Sequence, residues 1–314
     1  MADNSGSDEV GQNATRLRGV GVTAVGMAWA RAAESQRPDR LFDDPIAVAI
    51  VERGRPELAT LLSQAELPHA EEVGVERAPF DEQTATAFVE YAAVRTRYFD
   101  DCLSEACAAG CRQVVILAAG MDARAFRLPW PAETRLYELD QPDVLAYKEA
   151  MVTTMGVLPR CERRTVAADL TADWAAALRA SGFQEGQHTA WLAEGLLSYL
   201  ITKDNNALVS TARRLSGPGS MLALEVISAS AIRNGPLAAT AERIASFGAP
   251  WRSGVDDPAG WLAGHGWRAR VDDPFDVAVG YGRQLTGWPG AGPTDEPTRW
   301  LVTATRDSEL RPSP

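Results

Sequence analysis

The hydrophobic pattern changes along the chain, from a helical periodicity to short apolar runs that alternate with helices. Residues 17–79 carry a helical pattern interrupted by prolines, which predicts several short helices and no sheet. A longer helix is predicted over residues 81–109, because apolar side chains recur there at steps of three or four. Arg95 lies on this apolar stripe, in the gap between Ala92 and Phe99. A guanidinium that faces a protein interior needs an anionic partner.

Residues 113–117 form a short, continuously apolar and branched run that is typical of a strand in a parallel sheet covered on both faces. Strands are predicted at residues 113–117, 134–139, 164–167, 189–193, 221–227, 267–271 and 300–305. Helices are predicted at residues 142–155, 202–215 with Thr202 as N-cap, and 258–264. Strands that alternate with helices indicate the α/β class, as a doubly wound, mostly parallel sheet. Residues 1–80 would then form a mobile tail and a helical cap, and residues 81–314 the sheet domain.

Composition and charge exclude several classes of partner. The chain has 31 basic and 42 acidic residues and a net charge of −11, so we expect no binding to nucleic acid or to anionic membranes. The acidic N-terminus lacks a signal peptide, and no apolar run is long enough to span a membrane, so a cytoplasmic location is predicted. Four cysteines and three scattered histidines predict neither a disulfide framework nor a metal site.

Candidate binding residues follow the predicted strands, where ligands bind in open α/β sheets. A turn of small residues ending at Gly120 follows the first strand, and Asp140 follows the second, placed to accept hydrogen bonds from ribose hydroxyls. Asp169 and Leu170 follow the third strand and suit the edge and face of an adenine, and Glu194 follows the fourth. Each residue alone has a structural explanation, such as a helix cap or a core carboxylate. Their joint placement predicts a nucleoside-containing cofactor.

Two cofactors, NAD(P) and S-adenosyl-L-methionine, are compatible with the placement of these residues. The turn has the form Ala-x-Gly-x-x-Ala, a degraded dinucleotide fingerprint, so an NAD(P)-dependent oxidoreductase is the alternative function. Asp122 opposes it, since a carboxylate would stand where a pyrophosphate binds. S-adenosyl-L-methionine carries no phosphate, and carboxylates around the pocket would attract its sulfonium and ammonium groups. Its own carboxylate requires a cation, for which Arg95 is the candidate, unless Arg95 forms an internal salt bridge with one of these acids.

Several segments resemble the leucine carboxyl methyltransferase family of class I S-adenosylmethionine-dependent methyltransferases, particularly its actinobacterial branch. They are RTRYFD at 95–100, LAAGMDAR at 117–124, YELDQP at 137–142, ADL at 168–170, AEGLLSYL at 193–200, and RPDRLFDDP at 37–45, which is similar to an N-terminal signature of that branch. The resemblance extends over residues 20–305. It implies a Rossmann-like sheet of seven strands with the last one antiparallel, so that residues 81–314 would form the S-adenosylmethionine-binding domain.

The resemblance also implies a role for each matching position. Arg95 would hold the methionine carboxylate, Gly120 the amino-acid backbone of the cofactor, Asp140 the ribose, Asp169 and Leu170 the adenine, and Glu194 the amino end. Relatives commonly have Gly-Ala-Gly where this chain has Ala118-Ala119-Gly120. We expect the added methyl group of Ala118 to tighten the pocket slightly.

The predicted reaction is an in-line transfer of a methyl group to an oxygen of a small molecule or peptide. A carboxylate acceptor would need no general base, whereas a hydroxyl acceptor would need one. Tyr199, together with Tyr98, is the candidate for orienting the acceptor. Arg37, Arg40 and Asp43 of the cap are expected to close over the pocket, although packing alone would also explain them. No motif identifies the acceptor or the oligomeric state.

Overall fold

The computed structural model describes residues 20–53, 82–246, 248–287 and 298–306. The predicted tail and the prolines at positions 56 and 68 lie outside these residues. The N-terminal segment contains helices α1 (Val20–Ser35) and α2 (Pro45–Arg53), as its interrupted pattern predicts. Helix α2 begins at a proline, whose missing N–H costs nothing in the first turn. Asp44 precedes it and its Oδ1 accepts the N–H of Ala47 at 2.9 Å.

Helix α3 (Glu82–Ala108) confirms the long helix predicted from the apolar periodicity. Ala92, Phe99 and Leu103 are fully buried on its inner face, as the stripe predicts. Arg95 lies on the same face and is only 6% exposed. The one charged position within the stripe therefore points into the protein, where its charge must be compensated.

The sheet contains the seven strands that the sequence predicts, with bounds that differ by at most two residues. They are β1 (Gln113–Leu117), β2 (Arg135–Asp140), β3 (Glu162–Ala167), β4 (Thr189–Ala193), β5 (Met221–Ile227), β6 (Arg268–Asp272) and β7 (Arg299–Thr305). Their order is β3-β2-β1-β4-β5-β7-β6. Strands β1 to β5 are parallel, and β7 runs antiparallel to both β5 and β6. The doubly wound α/β fold with an antiparallel last strand is confirmed.

The remaining helices are α4 (Arg124–Arg127), α5 (Pro142–Met155), α6 (Trp174–Ala180), α7 (Thr202–Leu215), α8 (Ala229–Asn234), α9 (Ala238–Ser246), α10 (Pro258–Gly264) and α11 (Pro274–Gly280). Helices α5, α7 and α10 match their predicted bounds. The predicted cap at Thr202 is wrong, because Thr202 is the first helical residue and Ile201 occupies the N-cap without a side-chain hydrogen bond. Helices α6, α8, α9 and α11, which have six to nine residues, were not predicted from the sequence.

Helices α1 to α3 cover one face of the sheet, where Val25, Ile50 and Phe99 share a core with β1 side chains. Helices α6, α7 and α10 cover the other face, around Trp191 and Leu208. The predicted cap thus packs into the core of the sheet domain, and the division at residue 80 stays a prediction. Within the described ranges, no helix is both long enough and apolar enough to cross a membrane.

Candidate functional site

The carboxyl ends of β1, β2 and β4 meet where the strand order reverses. The structure brings the predicted residues of β1 and β2 into direct contact, because the N–H of Gly120 donates to Oδ2 of Asp140 at 2.6 Å. Ala119 adds a second connection, since its N–H donates to the carbonyl of Leu139 at 2.9 Å. The small-residue turn is therefore held against the end of the second strand.

Two residues of this turn have a backbone in the left-handed region. Gly120 has a φ of 47°, and a Cβ atom at this position would lie 3.1 Å from the Cβ of Ala24 in α1. Ala118 has a φ of 53°, and this conformation costs a residue with a Cβ about 1–2 kcal/mol. We expected the methyl group of Ala118 to matter by narrowing the pocket. The structure shows a different consequence, which is strain in the backbone of the turn.

Both carboxylate oxygens of Asp140 accept backbone N–H groups, since Gln141 donates to Oδ1 at 2.7 Å. Burial raises the pKa of Asp140, and the N–H groups of Gly120 and Gln141 offset only part of this effect. Each oxygen of an ionised carboxylate has a second lone pair. Asp140 can therefore accept two further hydrogen bonds, such as those from the two hydroxyls of a ribose.

Arg95 is held by two carboxylates and one thioether. Its Nε donates to Oε1 of Glu194 at 2.9 Å and its Nη1 to Oε2 of Glu225 at 2.7 Å. Its Nη2 lies 3.2 Å from the sulfur of Met27 in α1. The internal salt bridge that the sequence left open is present, and Glu194 is the predicted acid that forms it. Nη2 is the nitrogen that contacts no carboxylate, which leaves it suited to an incoming anion.

Arg124 neutralises two of the carboxylates that were expected to surround a cationic cofactor. It is 1% exposed, its Nη1 donates to Oε2 of Glu194 at 2.8 Å, and it also pairs with Asp122. Burial by itself raises the pKa of Asp122, but the charges of Arg124, Lys148 and Arg31 lower it to about 2. Asp122 thus belongs to a buried ion pair, and the acidic lining expected from the sequence is partly cancelled.

Glu225 is a site residue that sequence reasoning missed. Its Oε1 accepts hydrogen bonds from the Tyr91 hydroxyl and, at 3.2 Å, from Nη1 of Arg299. The Arg299 guanidinium lies 5.2 Å from the ring centroids of both Tyr91 and Trp251. Burial raises the pKa of Glu225, but Arg95 and Arg299 outweigh it and the net shift is downward. The sequence did contain an indication of its role, because Glu225 is the one charged residue in the buried strand MLALEVI and a buried carboxylate needs a cationic partner.

The loop after β3 lies beside Asp140, because the N–H of Ala168 donates to the Asp140 carbonyl at 2.9 Å. Asp169 is exposed, and its Oδ1 accepts the N–H and the hydroxyl of Thr171 at 2.8 and 2.7 Å. These two hydrogen bonds lower the pKa of Asp169. Leu170 is 9% exposed and packs into the core. The structure therefore places this loop next to the predicted ribose residue.

The two candidate tyrosines lie in different surroundings. Tyr199 is half-buried and ends a 3₁₀ turn, Leu197–Tyr199, that follows Glu194. Within the part of the chain that the structure describes, its hydroxyl forms no hydrogen bond. The hydroxyl of Tyr98 donates to Oδ2 of Asp272 at 2.6 Å, on the edge strand β6. Tyr199 thus lies on the segment that follows Glu194 in sequence, whereas the Tyr98 hydroxyl is bound to the edge strand β6.

The N-terminal signature forms a network of ion pairs. Arg37 pairs with Asp39, while Arg40 and Asp43 are exposed. The buried Glu34 accepts a hydrogen bond from Arg283 at 2.8 Å, which ties α1 to the segment after α11. Closure of Arg37, Arg40 and Asp43 over the pocket stays a prediction, and packing remains its alternative. Among the described residues, no cluster of three or more potential metal ligands is present.

Comparisons with known proteins identify the family of this chain. The model of the leucine carboxyl methyltransferase family matches residues 24–213. A protein of Parafrankia sp. (strain EAN1pec), named as an S-adenosyl-L-methionine-dependent methyltransferase, is 43% identical over 291 residues, which cover 92% of this chain and 87% of that protein. A protein of Mycolicibacterium gilvum with the same name is 48% identical over 208 residues, 66% of each chain.

A solved structure shows the same fold. The crystal structure of a DUF574 family protein from Streptomyces avermitilis aligns with a TM-score of 0.53 and 15% identity. The alignment covers 79% of this chain and 96% of that one. At this identity the likeness concerns the arrangement of the sheet and helices.

Proposed function

Since the chain belongs to the leucine carboxyl methyltransferase family and is an S-adenosylmethionine-dependent methyltransferase, we propose that it methylates an oxygen atom of its acceptor. The acceptor is a carboxylate or a hydroxyl group on a small molecule or peptide, and the carboxylate is the better supported of the two. S-adenosylmethionine is the cofactor. The alternative of an NAD(P)-dependent oxidoreductase receives no support from the relatives, and the cytoplasmic location stays a prediction.

The contacts at the carboxyl ends of the strands support a separate role for each predicted residue, in which each binds a different part of the cofactor. Asp140 accepts the ribose hydroxyls with the two lone pairs that its backbone partners leave. Gly120 lets the cofactor approach the turn, because it has no side chain, and Arg95 offers Nη2 to the methionine carboxylate. Glu194 receives the amino end, and Asp169 and Leu170 form the adenine side. These assignments fit the donors and acceptors present, and they remain proposals.

The observation that most favours a carboxylate as the acceptor is the protonation state of three acids, Asp122, Glu194 and Glu225. Arginine holds the pKa values of Asp122, Glu194 and Glu225 below their usual range, against the effect of burial, so these groups are ionised and weakly basic. The described histidines lie elsewhere: His265 contacts Ser210, and His188 directly precedes β4 at the opposite edge of the sheet. A carboxylate acceptor is already ionised and needs no base.

When bound, S-adenosylmethionine supplies a methyl group on a positively charged sulfur. The protein then has to align the acceptor oxygen with that group and exclude water. Tyr199 is the residue that we propose for alignment, through a hydrogen bond from its hydroxyl to the acceptor. Replacing Tyr199 with Phe should lower kcat and leave the affinity for S-adenosylhomocysteine unchanged.

The stability of the product toward alkali tests the acceptor class. The protein is incubated with methyl-labelled S-adenosylmethionine and a panel of carboxylic acids and phenols, and the product is then treated with mild alkali. Methyl esters release labelled methanol, whereas methyl ethers and methylamines keep their label. We expect release from an acid of the panel, with none in a control that lacks protein. A label that resists alkali would contradict the carboxylate, and failure to bind S-adenosylhomocysteine in calorimetry would contradict the site itself.

A further inference from the structure

Helix α1 lies against the predicted binding site for the amino-acid end of the cofactor. Ala24, Met27 and Arg31 are spaced by three and four residues, so they share one face of the helix. Ala24 packs at Gly120, Met27 contacts Nη2 of Arg95, and Nη2 of Arg31 donates to the carbonyl of Met121 at 2.7 Å. This face of α1 therefore covers both the glycine turn and the arginine.

The hydrogen bond from Arg95 to Met27 is weaker than those from Arg95 to its other partners. Glu194 and Glu225 are buried carboxylates at 2.9 and 2.7 Å, and charge-assisted hydrogen bonds of this kind are strong. A thioether is a neutral and weak acceptor. An incoming carboxylate would therefore replace the thioether more easily than either glutamate. Because both glutamates keep their contacts, the guanidinium would hold its orientation during the exchange.

Helix α1 is anchored by contacts other than that of Met27. Arg31 connects α1 to the turn after β1 by the hydrogen bond from its Nη2 to the Met121 carbonyl, and to Asp44 by an ion pair in which Nε lies 3.3 Å from Oδ2. Val25 and Ala28, which flank Met27, are buried in the core. A methionine side chain has three rotatable bonds and adapts readily to a new neighbour. We therefore expect rotation of the Met27 side chain, rather than movement of α1, to free Nη2.

We propose that the cofactor carboxylate displaces Met27 from Arg95. In the free protein Nη2 of Arg95 donates to the Met27 sulfur, and on binding it donates to the carboxylate instead. We call this displacement the exchange. The proposal rests on the function proposed above, in which Arg95 holds the methionine carboxylate. It assigns to α1 a residue that controls affinity for the amino-acid end of the cofactor and has no effect on the adenosine end.

A carboxylate built into position 27 tests the exchange. In Met27→Glu the new side chain competes for Arg95 from within the protein, so we expect the Kd for S-adenosylhomocysteine to rise by about tenfold or more. The Kd for 5′-methylthioadenosine, which lacks the amino-acid end, should change by less than about twofold. Met27→Gln has nearly the same shape without the charge and should have a much smaller effect. Ala33→Glu adds a carboxylate elsewhere on α1 and serves as the control.

Calorimetry with both ligands separates the possible failures. If Met27→Glu binds S-adenosylhomocysteine as the unmodified protein does, the exchange is refuted, and equal weakening of both ligands would also refute it. The variant Arg95→Met separates the proposed role of Arg95 from the displacement of Met27. If that variant loses S-adenosylhomocysteine while Met27→Glu keeps it, the exchange alone is wrong. If Arg95→Met keeps full affinity, the proposed role of Arg95 fails and the exchange fails with it.

Discussion

Arg95 and Asp140, the two residues proposed to bind the methionine carboxylate and the ribose, have very different partners in the fold. Arg95 forms ion pairs with two buried glutamates, and removing one partner of a buried pair costs about 3–5 kcal/mol in stability. Asp140 accepts backbone N–H groups with both oxygens and forms no ion pair among the described residues. Substitution of Asp140 therefore reports on binding more directly, because less of the fold depends on its charge.

Replacement of Asp140 with Asn should weaken the binding of S-adenosylhomocysteine by about 1–3 kcal/mol, because one acceptor oxygen becomes an amide donor that a ribose hydroxyl cannot use in the same way. Isothermal titration calorimetry measures the change. Asp143→Asn, at an exposed position in the first turn of α5, is the matched control and should bind normally. Equal affinities for the two variants would show that Asp140 does not hold the ribose.

At the scale of elements, the site depends on how closely α1 approaches the turn after β1. The turn has no side chain at Gly120, and Ala24 of α1 fills the adjacent space. The same helix reaches the next residue of the turn through the hydrogen bond from Arg31 to the Met121 carbonyl. A substitution in the turn should therefore change the packing of α1 as well as the proposed cofactor site.

Gly120→Ala should destabilise the protein by about 1–3 kcal/mol and weaken the binding of S-adenosylhomocysteine. The new Cβ would form a close contact with Ala24, in addition to the strain of a left-handed backbone. Gly156→Ala is a suitable control, since Gly156 also has a positive φ of 64° but nothing lies within 4 Å of a Cβ there. Urea unfolding should show a larger loss for Gly120→Ala. Equal losses would mean that the contact with α1 has no energetic weight.

At the scale of the whole molecule, a chain of ion pairs connects the N-terminal helices to β5 and β7. It runs through Arg31, Asp44, Arg127, Asp100, Arg124, Asp122, Glu194, Arg95, Glu225 and Arg299. The five arginines and five acids of this set cancel, which leaves it without net charge. The overall charge of −11 is therefore carried by residues outside this set.

The free energy of unfolding should fall as the pH drops below about 4.3, the usual pKa of a glutamate in an unfolded chain. Glu194 and Glu225 have lowered pKa values in the folded state, because their arginine partners outweigh burial. The stability that they contribute is complete above the unfolded pKa and is lost as the pH falls through the folded value. Urea titrations between neutral and acidic pH measure this loss.

Glu225→Gln isolates the contribution of one carboxylate to the acid sensitivity. The variant should be less stable at neutral pH, because Arg95 and Arg299 lose a charged partner. Its stability should also depend less steeply on pH, with up to about one proton fewer taken up on unfolding. An unchanged slope would mean that Glu225 does not titrate differently in the folded and unfolded states.

The sequence alone determined the order and type of the main elements and the edge of the sheet that carries the site. Strands β1, β4 and β5 are local runs of mostly apolar residues, and chain order places Gly120 after β1, Asp140 at the end of β2 and Glu194 after β4. Arg95 could be assigned to the interior because helical periodicity is also a local property. Short helices such as α8 escaped prediction, because six residues contain less than two turns.

Only the tertiary structure decided which charges meet. Arg95 binds Glu225 across 130 positions of sequence and Met27 across 68, and Arg31 reaches Met121 across 90. A carboxylate after a strand has the same local sequence whether it faces a ligand or an arginine. Asp122 was therefore expected to attract the cofactor, yet it is paired with Arg124. Partner choice among buried charges depends on distances between elements, and periodicity along the chain contains no information about those distances.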